Sequence, residues 1–313
     1  MQTCAMMSRR ALLVVMCLMC ATACSNDSEA NPFAFVDDPA GANVPGTLSY
    51  LKDVESAHLD HDRHVAIWLP PGYDADGETR YPVLYMHDGQ NLFDPRGAYT
   101  GKTWGVAEVV TQLIDAGKIR PMIVVGAFNS PSRGYEYSPW HGAPRYGRFL
   151  TEELMPRIEA DYRTLTGPEN TFVMGSSMGG LLSYYLVSEH PDRFGGCGCV
   201  STHFTISERM VARYYDDIEL DIEGKPDDTP YIVRDIERGI TMPAGPKLWF
   251  DYGTLGLDAD YGPPHDRVRA WLLEQDRTEG VDFVVREYEG ADHNEVSWRE
   301  RLADPVLFLF GKG

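Results

Sequence analysis

Three observations predict a mostly parallel α/β sheet with helices on both faces. Apolar, β-rich runs alternate with stretches of helical periodicity along almost the whole chain. One of those runs, Met122–Phe128, is nearly continuous in apolar residues, as a central parallel strand buried on both faces requires. A Gly-x-Ser-x-Gly sequence, Gly175-Ser176-Ser177-Met178-Gly179, lies between a short apolar run and a helical one. At 313 residues the chain is long enough to bury one large core.

The elements follow in order. His64–Pro70 alternates and reads as a strand stopped by Pro70-Pro71-Gly72. Tyr81–Met86 is a short apolar strand, Trp104–Lys118 a helix, and Met122–Phe128 the central strand. Arg145–Tyr162 has the spacing of an amphipathic helix. The strand before Gly175, the helix Leu181–Glu189 and a strand over Gly195–Ser201 come next. Lys247–Tyr252 is a strand, His265–Gln275 a helix, Val281–Tyr288 the last strand, and a helix closes the chain. Residues 204–246 read as a small insertion, a lid carrying Tyr214, Tyr215 and Tyr231.

Residues 1–24 have the pattern of a signal peptide. Arg9 and Arg10 precede the apolar run Ala11–Met19, which is too short to span a bilayer, and Ala21-Thr22-Ala23-Cys24 follows. A cysteine at the cleavage point favours a lipoprotein signal acylated on Cys24, although Ala stands where such boxes usually carry Leu. Ser8-Arg9-Arg10 also resembles a twin-arginine signal. Residues 25–45 read as a flexible tether and 46–313 as the folded domain. The expected location is the periplasm or outer envelope, with secretion as the alternative. Membrane attachment would run through the lipid.

The net charge is −19, and removing residues 1–24 takes away two arginines and no acid. Such a chain repels phosphate backbones, so no nucleic-acid partner is expected. Of six cysteines, Cys4, Cys17 and Cys20 leave with the signal. Cys197 and Cys199 alternate along a predicted strand and are expected to face opposite ways, as small buried residues without a bridge between them. No cofactor motif is present. His58, Asp60, Asp62 and His64 would share a face of an extended chain, but they precede an early strand far from Ser177, and a metal site is not expected. Asp217–Gly224 resembles a calcium loop only superficially, since its glycine falls at the wrong place.

The chemistry centres on Ser177. Gly175 and Gly179 remove bulk where a sharp strand–turn–helix would clash, so the serine is presented above the sheet. The N–H of Met178 opens the helix and points where an oxyanion would form. A serine hydroxyl needs a base, and the base needs an orienting carboxylate, in the chain order Ser, acid, His. His293 follows the last strand in a Gly-containing loop and fits the base. His190 fits a helix end, His265 a helix start, and His203 a pocket wall. The acid belongs after the penultimate strand, where Asp251, Asp258 and Asp260 stand; Asp258 is preferred and Asp260 is the reserve. A second oxyanion donor is expected from the loop His87–Phe93, where Gly89 permits a tight turn that aims the Gln90 N–H. Trp104, Tyr137, Trp140 and His203 are candidates for a substrate pocket that stacks an aromatic or a sugar.

These stretches carry a resemblance. Trp68–Tyr73, Leu84–Asp94, Trp104, Arg133–Pro139, the Gly175–Gly179 segment and Gly290–His293 are similar to the putative esterase family of α/β hydrolases. That family includes feruloyl and acetylxylan esterases, enterochelin esterases, S-formylglutathione hydrolases and mycolyltransferases. The resemblance runs from about residue 48 to the end. It implies the α/β-hydrolase fold, a triad of Ser177, Asp258 and His293, and an oxyanion hole from Gln90 and Met178. It also implies a serine esterase acting without a cofactor on a small-molecule or glycan ester. The acid segment departs from the family's commoner Gly-Thr-x-Asp spacing. An acyltransferase on the same triad, or a non-catalytic envelope binding protein on the same fold, are the alternatives. Oligomeric state and the identity of the ester are not legible.

Overall fold

A computed structural model describes residues 35–74, 77–220, 222 and 224–312. The predicted signal peptide, its Cys24 and the first part of the tether lie outside the described residues. Eight strands form one sheet: β1 Thr47–Val54, β2 Arg63–Leu69, β3 Val83–His87, β4 Ile123–Ala127, β5 Thr171–Ser176, β6 Gly196–Val200, β7 Lys247–Gly253 and β8 Phe283–Tyr288. Their order is β1-β2-β4-β3-β5-β6-β7-β8. β1 pairs antiparallel with β2 and β2 with β4; every later pairing is parallel. This is the α/β-hydrolase fold.

Strands β3 to β6 are buried along their full length because both faces are covered. Alternate residues feed two cores. Val83, Tyr85, Val125 and Val173 enter one; Leu84, Met86, Val124 and Met174 enter the other. The helices that matter for the site are α1 Val106–Asp115, α2 Arg133–Tyr137, α3 Ala143–Arg148, α4 Met155–Asp161, α5 Met178–Glu189, α6 Glu208–Tyr214, α7 Tyr231–Glu237, α8 Gly262–Leu273, α9 Glu295–Arg301 and α10 Ala303–Phe310.

The structure corrects four expectations. The helix predicted over Arg145–Tyr162 is α3 and α4 joined through a π-helical stretch, Phe149–Leu154. Pro156, which has no N–H to give to the preceding turn, is the second residue of α4. Residues 35–45 of the predicted tether are held on the domain. Phe35 stacks on His64 with centroids 4.2 Å apart, Pro39–Ala42 forms a 3-10 turn, and Asp38 pairs with Arg96 at 2.9 Å. Cys197 and Cys199 share a face of β6, since residues two apart on a strand point the same way, and their thiols lie 3.2 Å apart. β1 is an added edge strand, half exposed, whose weak alternation hid it.

Residues 204–246 pack against the α2–α3 region. Trp140 donates to Asp235 at 2.6 Å and stacks on Tyr231 at 4.8 Å, while the Tyr135 N–H donates to Asp217 at 2.7 Å. The residues weighed as a metal site are otherwise engaged: His58 meets Glu152 at 3.1 Å and Asp60 is bridged by Arg145 at 2.7 Å. Among the described residues no helix is long and apolar enough to cross a membrane.

Candidate functional site

The carboxyl ends of β3, β5, β6, β7 and β8 carry the candidate residues, at the edge of the sheet where ligands of open α/β folds bind. Ser177 links β5 to α5 with φ 57° and ψ −122°, a backbone that L-residues rarely adopt. Its N–H donates to Val200 O at 2.9 Å, and its carbonyl accepts from Gly180 and Leu181, the first turn of α5. Gly175 is required by close approach: a Cβ there would sit 2.8 Å from the Gly179 backbone and 2.9 Å from His87. The Met178 N–H, at the positive end of a helix of 12 residues, takes part in no hydrogen bond among the described residues.

The Gln90 N–H is likewise unpartnered among the described residues. Its loop turns at Asp88, which has φ 57°, and not at Gly89 as the sequence suggested. Gly89 serves close packing, because a Cβ would lie 2.2 Å from Gly126 O. Asp88 is clamped by Arg133 through two bonds of 2.7 Å and by Asn129 at 2.6 Å, and its N–H donates to the Tyr137 hydroxyl at 3.3 Å. Burial alone would raise the Asp88 carboxyl, but the Arg133 charge and hydrogen bond bring it below its ordinary value.

On the other flank, Asp258 Oδ1 is 2.6 Å from His293 Nδ1. That contact fixes the proton on Nδ1 and leaves Nε2 as the basic nitrogen. Asp258 Oδ2 accepts from the Ser201 hydroxyl at 2.5 Å and the Gly253 N–H at 2.7 Å. Burial would raise this carboxyl too; the His293 bond and charge, with Ser201 and Gly253, hold it below the usual carboxylate value. Asn294 caps α9 by accepting from Val296 and Ser297, which anchors the chain just after His293. The other acids are elsewhere. Asp251 is buried on Arg301 at 3.1 Å and Trp249 at 2.7 Å, and Asp260 is exposed.

His203 donates its N–H to Ser177 O at 3.3 Å, and its ring bonds the Tyr261 hydroxyl. The Tyr261 ring stands edge-on to His293 at 5.7 Å. Burial lowers His203 to about 3, so the ring is neutral. His265 is buried with Nδ1 on Tyr261 O at 2.7 Å, and His190 ends α5. Two proposed stacking residues do not face a pocket. Trp104 is 2% exposed and packs on Trp298, and Tyr137 is fully buried under Asp88. Trp140 is half-buried, with its indole N–H committed to Asp235. The sequence reading missed Ser201, Trp298 and Arg301. The available signal was a polar residue, Ser201, closing an apolar strand.

A family model described as Putative esterase matches residues 56–309. Among curated proteins, the chain is 29% identical over 140 residues to an endo-1,4-beta-xylanase/feruloyl esterase of Xylanibacter ruminicola, covering 43% of this chain and 19% of that protein. It is 24% identical over 168 residues to the ferri-bacillibactin esterase BesA of Bacillus subtilis, covering 48% of this chain and 56% of that protein. The match therefore spans about a fifth of the first relative's length and little more than half of the second's. A solved ferulic acid esterase superposes with a TM-score of 0.62 at 20% identity, covering 86% of this chain and 99% of that one.

Proposed function

The chain belongs to the Putative esterase family, and from that premise we propose that it is a serine esterase cleaving a carboxylic ester through an acyl-enzyme on Ser177. One observation carries the reading: a serine in a strained strand–helix turn opens α5, the Met178 N–H after it and the Gln90 N–H after the adjacent strand β3 are unpartnered among the described residues, and a His–Asp pair bonded at 2.6 Å lies on the same sheet edge. In this mechanism Ser177 Oγ bonds to the ester carbonyl carbon while His293 Nε2 takes its proton. The carbonyl electrons move onto oxygen, which accepts from the Gln90 and Met178 N–H groups. Collapse expels the alcohol, protonated by His293. Water then repeats the sequence on the acyl-enzyme and releases the acid. Asp258 keeps the imidazole in the required tautomer and balances its charge.

The feruloyl and siderophore esters named for the relatives suggest an ester of an aromatic acid as substrate. Residues 1–24 support export, with acylation of Cys24 as the means of retention. A fluorophosphonate probe should label the wild type and not Ser177→Ala. A panel of feruloyl, acetyl-sugar, short acyl and catecholate esters should then show turnover on at least one class. A chain that neither reacts with the probe nor turns over any ester contradicts the proposal.

A further inference from the structure

Beyond the three residues of the reaction lies a second, fully buried polar cluster whose members come from β6, β7 and α9. Ser201 follows β6 with φ 41°, in the left-handed region although it is not glycine. Its hydroxyl makes three bonds. It donates to Asp258 Oδ2 at 2.5 Å, and it accepts from Trp298 Nε1 at 2.9 Å and Arg301 Nη2 at 2.6 Å. Its N–H donates to Asp251 Oδ1 at 3.0 Å, and Arg301 Nε donates to the same oxygen at 3.1 Å. Arg301 Nη2 approaches Asp258 directly only to 3.8 Å. The Trp298 ring stands edge-on to His293 at 5.1 Å.

We propose that Ser201 is a positioning residue for the acid–base pair, relaying the Arg301 and Trp298 donors to Asp258 and so fixing the carboxylate that holds His293. A serine does this where alanine or threonine would not. The hydroxyl alone accepts twice and donates once, and a β-branched side chain is strained at this φ. The arrangement also explains why two acids stand close together in this region. Asp251 neutralises Arg301 and orders the Ser201 backbone, which leaves Asp258 to serve the histidine. The inference rests on the esterase reading above.

Titratable and charged groups face Asp258 from every side: His293 after β8, Arg301 on α9, Asp251 on β7, His203 after β6, and Tyr261 and His265 at the start of α8. Removing the hydroxyl leaves the carboxylate with fewer donors, so it holds protons more tightly.

The test compares the full chain with Ser201→Ala, Trp298→Phe, Asp258→Asn, Ser177→Ala and the double variant Ser201→Ala/Asp258→Asn, all on one chromogenic ester. We expect Ser201→Ala to lower kcat roughly 10- to 100-fold, the scale for partners one bond from a reacting group. KM should hold within about twofold, since no substrate contact is lost. The acid limb of its pH–rate profile should move to higher pH. In the Asp258→Asn background the same change should add nothing. Unchanged kcat and pH profile in Ser201→Ala, or full additivity with Asp258→Asn, overturns the inference. Trp298→Phe keeps the ring against His293 and removes one donor. It decides the matter if Ser201→Ala does not fold: a shifted acid limb supports the relay, and a wild-type profile rejects it. Retained turnover in Ser177→Ala and Asp258→Asn would instead defeat the esterase reading itself.

Discussion

Ser177 and Ser201 end adjacent parallel strands, β5 and β6, and both take positive φ, 57° and 41°. The Ser177 N–H is even bonded to the residue before Ser201, Val200. Yet one is left partly open and the other is locked away. Ser177 is partly exposed and opens a helix whose first N–H, that of Met178, has no partner among the described residues. Ser201 has no exposed surface, and its hydroxyl is saturated by Asp258, Trp298 and Arg301. Backbone strain at a strand end therefore does not by itself mark a nucleophile. What differs is whether the hydroxyl and the surrounding donors are already used. On the proposed reading the Ser177 flank keeps unsatisfied groups for a transition state, while the donors of Ser201 and Trp298 and two nitrogens of Arg301 are committed to fixed bonds.

The comparison breaks most plainly at Ser177. Ser177→Ala should reduce ester turnover to background and abolish probe labelling with folding intact, because the hydroxyl supplies chemistry and little packing. Ser176→Ala, one residue earlier in the buried strand, should keep most activity. If Ser176→Ala is the dead variant, the nucleophile has been assigned to the wrong serine. Next in size is Asp258→Asn. An amide would hold the wrong imidazole tautomer, and a loss near 10⁴-fold, the figure known for a protease triad, is the right scale. Exposed Asp260→Asn should cost little. A reversed ranking of the two, assayed side by side, would move the acid to Asp260.

Much of this was legible because it is written in local pattern. Strands β2 to β8 show as apolar runs, and the turn at Ser177 is announced by glycines that its close approach demands. Asp258 and His293 are picked out by their places after the last two strands, with Asp260 as the reserve acid and His190, His203 and His265 weighed against the base. What stayed hidden depends on distance. The partners of the Ser201 hydroxyl lie 57 to 100 residues away, so nothing near Ser201 signals them. The same blindness placed Trp104 and Tyr137 in a pocket: an aromatic near a motif looks like a stacking face until its burial is seen. The cysteine pair was misjudged for a different reason, since a period of two puts Cys197 and Cys199 on one face.

A smaller effect, on stability, should follow from filling the space behind Ser177. Gly175→Ala puts a methyl group 2.8 Å from the Gly179 backbone, at a position buried in the sheet. Overpacking of this kind costs about 1–3 kcal/mol. Urea denaturation should show that loss together with reduced probe labelling, as the turn carrying Ser177 shifts. Wild-type stability in Gly175→Ala would mean that the strand–helix turn is more pliable than its packing implies.

The smallest expected effect tests His203, which joins the two flanks: it follows Ser201 by two residues and bonds the Ser177 carbonyl. Burial lowers the ring from an ordinary value of 6.5 to about 3. The unfolded chain therefore takes up a proton near pH 6.5 that the folded protein refuses until about pH 3. The stability tied to the neutral ring is complete above pH 6.5, declines as pH falls below it, and levels off near pH 3. Between pH 7.5 and 5.5 this one group should cost about 1.4 kcal/mol of folding free energy. His203→Gln cannot titrate. Whatever it loses at neutral pH, its urea stability should fall over that interval by about 1.4 kcal/mol less than the wild type's. Equal falls in both proteins would show that His203 takes its proton in the folded state. The imidazole between the two serines would then be solvated, and the contrast between an open and a sealed flank would not extend to the residue that connects them.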